Sequence, residues 1–426
     1  MEKLTFIDLF AGAGGLSEGF VKAGYEALAH IEMDEYACQT LRTRAAFHWL
    51  KENDRLDVYM DYLKCKKEGE DGHLLWKEVP KSVIETVIKA TINEETIDAI
   101  FKHTDALIGD KSVDLIIGGP PCQAYSYAGR ARIGKAIESD PRNDLYLFYV
   151  RFLDRYKPKM FVFENVLGIK TAKDGLPYND LKTKVREIGY EIEDRVQIAS
   201  EHGVLQKRER VIFVGWRKVN NCNLPTNYHY PELKKEPCQY QTRKDLFSDL
   251  PERKAGEGTM TEIVEYTKSL SEMQYLKETG IRGVIPFTTQ HVVRILNDID
   301  REIYQIAVQL FERGIRLDYS KLPERLQKHK NKTRFKNRFC VVNPNGPSHT
   351  IVAHISQDGH YYIYPSENST LENVRSLSVR EAARIQTFPD DYFFEGSRTS
   401  VFKQIGNAVP MILAYRIALA LKEQLL

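Results

Sequence analysis

The sequence predicts an α/β protein built on a doubly wound parallel sheet, with a second, smaller domain toward its C-terminal side. Three observations predict it. Short apolar, β-prone runs alternate with helix-length segments through the first 216 residues. A glycine-rich turn follows the first of those runs, and beyond Trp216 the alternation dissolves into Pro, Asn and Tyr with irregular helices.

In chain order, Leu4 to Leu9 (LTFIDL) reads as the first strand and runs into FAGAGG, whose glycines permit a tight turn before a helix carrying Leu16, Phe20 and Val21. A second strand near Tyr25 to Ile31 ends on Glu32, about 20 residues after the turn, the layout of a nucleotide-type site with an acid for ribose hydroxyls. Residues 47–103 are polar, rich in Lys and Glu and helical in character, and are expected to be an insertion without site chemistry. Further strands are expected at Val113 to Ile117, Met160 to Phe163 and Val211 to Gly215, with a helix over Asp144 to Tyr156. A clear helix returns around Val379 to Gln386. The expected division is 1–216, 217–397 and a returning segment at 398–426.

Composition excludes several classes. The 426 residues carry 61 Lys and Arg against 59 Asp and Glu, with 42% hydrophobic and 28% charged residues, an ordinary soluble balance. The opening MEKLTFIDLF has no basic stretch followed by an apolar run, so no signal peptide is expected, and Arg416 interrupts the most apolar C-terminal run; no membrane partner and a cytoplasmic location follow. Six cysteines, at 38, 65, 122, 222, 238 and 340, show no paired ligand spacing, and no metal is expected. Charge is unevenly spread: 217–340 holds 23 Lys and Arg against 16 Asp and Glu. Its sharpest part, Lys321 to Arg338, includes Lys328, Lys330, Lys332 and Arg334, and reads either as a solvated face or as a nucleic-acid contact.

The motifs carry the chemistry. DLFAGAGG lacks the third glycine of GxGxxG and the Lys of a phosphate loop, which disfavours a pyrophosphate ligand and suits a nucleoside cofactor such as S-adenosylmethionine. GGPPCQAYS (118–126) follows an apolar strand and sets Cys122 in a loop at the sheet's carboxyl edge, where an ionised thiol is a nucleophile. Glu164 of FEN ends another strand on that edge, as an acid/base group or a mere exit charge. QKRER (206–210) places Arg208 and Arg210 two apart, on one face if extended. QIGNAVP (404–410) introduces an apolar helix, with Asn407 as a site residue or a simple cap.

DLFAGAGGLSEGF, GGPPCQAYS, FENV, QKRER, RSLSVREAARIQTFPDDY (375–392) and QIGNAVP stand in the order and spacing of the DNA cytosine-5 methyltransferases of the bacterial restriction-modification or orphan type, which the chain resembles at both ends. The resemblance implies a Rossmann-like methyltransferase domain dependent on S-adenosylmethionine, a smaller target-recognition domain in the unmatched stretch from 217 to about 340, and a C-terminal helix that completes the large domain. It implies double-stranded DNA as the partner, a separate cognate restriction endonuclease, and a monomer. It assigns catalysis to Cys122, Glu164, Arg210 and its companion Arg208. Cofactor contacts fall to Phe10, Ala11, Gly12, Gly14, Gly15, Glu32, Met33, Pro121, Leu145 and Asn407, and DNA contacts to Gln123 and Ser126 with the basic run. The family's aspartate for the adenine amino group has three candidates here, Asp61, Asp98 and Asp105. A tRNA cytosine-5 methyltransferase of the same fold and a catalytically dead DNA-binding module are the alternatives; the long unmatched segment and the intact motifs disfavour them.

Overall fold

The computed structural model describes residues 3–68, 74–121, 144–218, 228–328 and 336–426, the side chains of 67, 68 and 74 excepted. A seven-stranded sheet forms the centre, in the order β3-β2-β1-β4-β5-β8-β6. Its strands are β1 (Thr5–Leu9), β2 (Glu26–Glu32), β3 (Val87–Lys89), β4 (Leu115–Gly118), β5 (Met160–Asn165), β6 (Tyr190–Ile198) and, after a two-residue β7 (Gln206–Lys207) outside the sheet, β8 (Glu209–Arg217). β1 to β5 are parallel, while β8 runs antiparallel to both β5 and β6. β1, β4 and β5 are buried on both faces, which explains why they read as unbroken apolar runs rather than as alternation.

The chain order reverses between β1 and β4, so a crevice is expected where their carboxyl ends diverge. The Gly-rich turn, Glu32 and Glu164 stand at the carboxyl ends of β1, β2 and β5 on that edge. Helix α1 (Gly15–Lys22) leaves β1 and packs against the C-terminal helix Met411–Leu425. The crossing needs Gly19: a Cβ there would stand 2.5 Å from the Cβ of Ala414. The apolar stretch Arg398–Leu425 is 72% buried over its most apolar window and is a core element.

The expected insertion at 47–103 is narrower than its composition suggests. β3 lies inside it and pairs with β2, and the helix Ile97–Ile108 sends Ile97, Ile100, Phe101 and Ile108 into the core on one face of the sheet. Three β residues flanked by charged helices carry too short a period to be seen. The preceding helices, α2 (Glu35–Glu52) and α3 (Leu56–Glu68), build a separate core from Phe47, Leu50, Tyr59, Tyr62 and Leu63 against Ile285, Phe287 and Phe393.

The C-terminal side has a core of its own only over 296–374, where Ile303, Tyr304 and Val308 of the helix Asp298–Glu312 meet Tyr319, Phe339, Ile363 and Val374. From Leu377 onward the side chains join the core of β1 and α1. That return is held by buried arginines. Ser378 and Glu381 form a reciprocal cap on the helix Val379–Ile385, Arg375 grips Glu381, and Arg380 donates to the carbonyls of Thr289, Pro389 and Tyr392. Arg384 pairs with Asp249 at 2.5 Å and Asp390 at 2.6 Å, all fully buried. Removing one partner would leave an uncompensated charge in the interior, which costs about 3–5 kcal/mol.

Candidate active site

The turn after β1 is backbone-strained. Phe10 (φ 57°), Gly12 (φ 56°) and Gly14 (φ 82°) are all left-handed, and Phe10 holds that conformation without glycine's freedom. Glu32 at the end of β2 ties this turn to the residues that follow its own strand. Its Oε2 accepts from the N–H of Gly12 at 2.8 Å; its Oε1 accepts from Met33 at 2.9 Å and Asp34 at 2.8 Å. Burial raises its pKa against these lowering bonds.

Around that carboxylate the surface is shaped for a nucleoside. A Cβ on Gly12 would meet nothing within 4 Å, so the turn opens onto free space. Met33 is 59% exposed, an apolar side chain free to cover a flat ring. The C-terminal segment closes the other side, since a Cβ on Gly15 would stand 2.9 Å from the Cβ of Ala408, the residue after Asn407. Ala11 is buried, and Asn407 is exposed at the end of the helix Arg398–Asn407. Pro121 follows β4 on the same edge, and Leu145 begins the helix Leu145–Tyr156. An acid at the ribose position, an open turn and an exposed thioether fit S-adenosylmethionine.

Of the adenine candidates, none directly follows β3. Asp61 pairs with Lys64 on α3, Asp98 lies in the first turn of the helix Ile97–Ile108, and Asp105 pairs with Arg155 near that helix's far end. The residues after Lys89 are Ala90, Thr91 and Ile92, with no carboxylate.

Glu164 and Arg210 meet. Arg210 Nε lies 2.7 Å from Glu164 Oε1, and each side chain is only 13% exposed. Antiparallel pairing of β5 with β8 makes this possible, because Glu164 stands opposite Ile212, two residues into the strand from Arg210. A Cβ on Gly119 would stand 2.6 Å from Glu164 Oε2, so only glycine lets the GGPPC loop pass this close to the carboxylate. Asn165, buried and missed by sequence reasoning, donates from Nδ2 to the carbonyl of Pro120 at 3.5 Å, tying β5 to the same loop. Its signal was its place directly after Glu164 in FEN.

Arg208 goes elsewhere. The strand breaks at this residue, whose N–H donates to the carbonyl of Gln206, so Arg208 and Arg210 do not share a face as an extended run would require. Its fully buried guanidinium donates to the carbonyls of Ile351 at 2.7 Å and Gly406 at 3.4 Å, linking QKRER to the segment after β8 and to QIGNAVP. Cys122, Gln123 and Ser126 lie outside the described residues, as do Lys330, Lys332 and Arg334; Lys328 is exposed. Among the described residues no group of His, Cys, Asp or Glu is placed to hold a metal.

A family model described as C-5 cytosine-specific DNA methylase matches residues 4–64 and 72–423. The chain is 40% identical to the type II methyltransferase M.Bpa9945I of Bacillus paralicheniformis, over 99% of each chain. It is 28% identical to the type II methyltransferase M1.HphI of Haemophilus parahaemolyticus, over 97% of this chain and 86% of that one. Among solved structures, one described as a prophage-encoded DNA modification methyltransferase from E. coli shares the fold, with a TM-score of 0.61, 23% identity and 99% coverage of both chains. Matched from residue 4 to residue 423 with one short gap, the chain belongs to the C-5 cytosine-specific DNA methylases.

Proposed function

We propose that this cytosine-5 DNA methyltransferase takes its methyl group from S-adenosylmethionine and delivers it to a cytosine flipped out of double-stranded DNA, through a covalent adduct of Cys122. The observation that carries this reading is the Glu164–Arg210 pair, set against Gly119 of the loop that leads into Cys122. Bound S-adenosylmethionine supplies an electrophilic methyl group. Phe10, Ala11, Gly12, Gly14 and Gly15 would surround it, Glu32 would take its ribose hydroxyls, Met33 would cover the adenine face, and Pro121, Leu145 and Asn407 would complete the pocket.

Carbon-5 of cytosine is a poor nucleophile, and a thiolate bond to carbon-6 converts the ring to an enamine that is a good one. Cys122 supplies the thiolate. Negative charge then gathers toward ring nitrogen 3, where the acid form of Glu164 donates a proton; Arg210 bridges that carboxyl and the base carbonyl and fixes both. Once carbon-5 carries the methyl group, a base removes its proton, the carbon-5 to carbon-6 double bond re-forms, the thiolate leaves and the nitrogen-3 proton returns to Glu164. Arg208 acts on this site by holding QKRER in place. Because carbon-6 is unreachable in a stacked duplex, the base is extruded, with Gln123 and Ser126 contacting the strand it leaves. The segment from 217 to about 340 reads the sequence, and Lys328, Lys330, Lys332 and Arg334 follow the phosphate backbone. The two type II relatives support a modification role beside a separate endonuclease.

The test is to sequence DNA from cells expressing the protein after a chemistry that distinguishes 5-methylcytosine. Methylation confined to one short motif, and lost in Cys122→Ser, is expected. Cytosines left unmodified by the wild type would overturn the reading.

A further inference from the structure

A cavity of about 440 Å³ opens beside QKRER. β7 pairs in parallel with β9 (Ser348–His349), Lys207 opposite His349, and Lys207 stands two residues before β8. Because β8 starts opposite the carboxyl end of β5, the cavity lies beyond the same sheet edge that carries Glu164 and Arg210. Its polar wall is made by Lys207, Asn343, Thr350 and Tyr361, its apolar wall by Val341 and Pro347, and no carboxylate lines it among the described residues.

Of the residues that line the cavity only Lys207 carries a fixed charge, and Arg316 stands near enough to act on His349. Lys207 is exposed, and among the described residues no acid lies within ion-pair distance of its ammonium. Burial lowers the pKa of His349, and its Nε2 is 2.6 Å from the carbonyl of Tyr361, the bond a neutral ring makes as donor. Thr350 donates from Oγ1 to the carbonyl of Lys207 at 2.6 Å, which fixes the lysine's backbone against the recognition side. Arg208, the next residue, anchors the same strand through Ile351.

We infer that this cavity seats a phosphodiester of the DNA strand adjoining the flipped nucleotide, with Lys207 on the phosphate and Val341 and Pro347 against the deoxyribose. The inference rests on the function proposed above. An exposed cation with no acid partner suits a single negative charge. The apolar wall fits a sugar better than a bare anion, and continuity with the Glu164 edge puts the site next to the base being modified. Lys207 would then act as a backbone clamp that holds the strand while the nucleotide leaves the stack, a positioning role distinct from the chemistry.

The experiment compares full-length wild type, Lys207→Gln and Lys207→Arg on a long unmethylated duplex of mixed sequence. Duplex affinity is measured over a range of salt, methyl transfer over a range of DNA concentration, and cofactor-site integrity by binding of S-adenosylhomocysteine. The inference expects Lys207→Gln to raise the DNA KM about tenfold and to flatten the slope of log affinity against log salt by about 0.9. Lys207→Arg should restore both, with kcat within threefold and S-adenosylhomocysteine affinity unchanged. A Gln variant with wild-type KM or wild-type salt slope would overturn the inference while the methyltransferase reading stands. A wild type that transfers no methyl group to cytosine would overturn that reading and this inference with it.

Discussion

Arg210 Nε lies 2.7 Å from Oε1 of Glu164, an ion pair that joins the carboxyl end of β5 to the start of the antiparallel β8. The pair is a single functional unit. Glu164→Gln is expected to lower methyl transfer by about 10² or more while leaving duplex affinity nearly unchanged. Arg210→Met should cost a similar amount, and the double variant little more than the worse single one, because each residue acts through the other. Single-turnover rates of the four proteins check this; additive losses would separate the two roles.

Glu32 accepts three backbone N–H groups around the mouth of the Gly-rich turn. Glu32→Gln keeps the shape but gives up the charge of those acceptors and replaces one oxygen with a donor that cannot serve an N–H. A loss of about 10- to 100-fold in S-adenosylhomocysteine affinity is expected, the worth of one or two hydrogen bonds to a charged group. Calorimetric titration without DNA measures it. Unchanged affinity would remove Glu32 from the cofactor site.

How far such residues could be read in advance depended on whether a local pattern survives folding. β1, β4, β5 and β8 are built around short apolar runs and stand close to where their sequences put them, and Glu32 and Glu164 lie at strand ends because the acids directly follow such runs. β3 was hidden, since Val87–Lys89 is too short to show a period and sits among charged helices. Arg208 was misread for a different reason. Extended geometry would have set it beside Arg210, but a strand break and the carbonyls of Ile351 and Gly406, 143 and 198 residues away in sequence, decide its direction. Long-range partners of that kind leave no trace in spacing. The same holds for RSLSVREAARIQTFPDDY, whose regular charges look solvent-facing and are buried ion pairs.

His291 makes one consequence of that burial measurable. Its Nδ1 is 2.8 Å from Ser378 Oγ and its Nε2 is 2.9 Å from the carbonyl of Pro251, an arrangement complete with a neutral ring. Burial pushes its pKa down from 6.5 to about 4. Between those values the unfolded chain binds the proton and the folded one does not, so stability rises with pH across this window and is lost as pH falls from 6.5 toward 4. The loss from this residue is about 2 kcal/mol at pH 5. Urea unfolding at pH 7 and pH 5 should show the difference, and His291→Gln should reduce it; a pH dependence identical in the two proteins would contradict the assignment.

Lys328, Lys330, Lys332 and Arg334 form the densest positive run on the recognition side. Replacing all four by Gln is expected to weaken binding to a methylatable and a scrambled duplex alike, and to flatten the salt slope by about 0.9 for each phosphate no longer neutralised. Equilibrium binding over a salt series decides it. An unchanged slope would make the run a solvated face, and a weakening confined to the methylatable duplex would make these residues base readers.

The central claim is a covalent bond between Cys122 and carbon-6 of cytosine, and a long duplex in which every cytosine is 5-fluorocytosine tests it without knowledge of the recognition sequence. Fluorine cannot leave carbon-5 as a cation, so the adduct formed after methyl transfer cannot resolve. With S-adenosylmethionine present, the wild type is expected to give a protein–DNA complex that survives denaturing electrophoresis. Cys122→Ser should give none, and Glu164→Gln far less. A wild type that binds this duplex and leaves no denaturation-resistant complex would contradict the account.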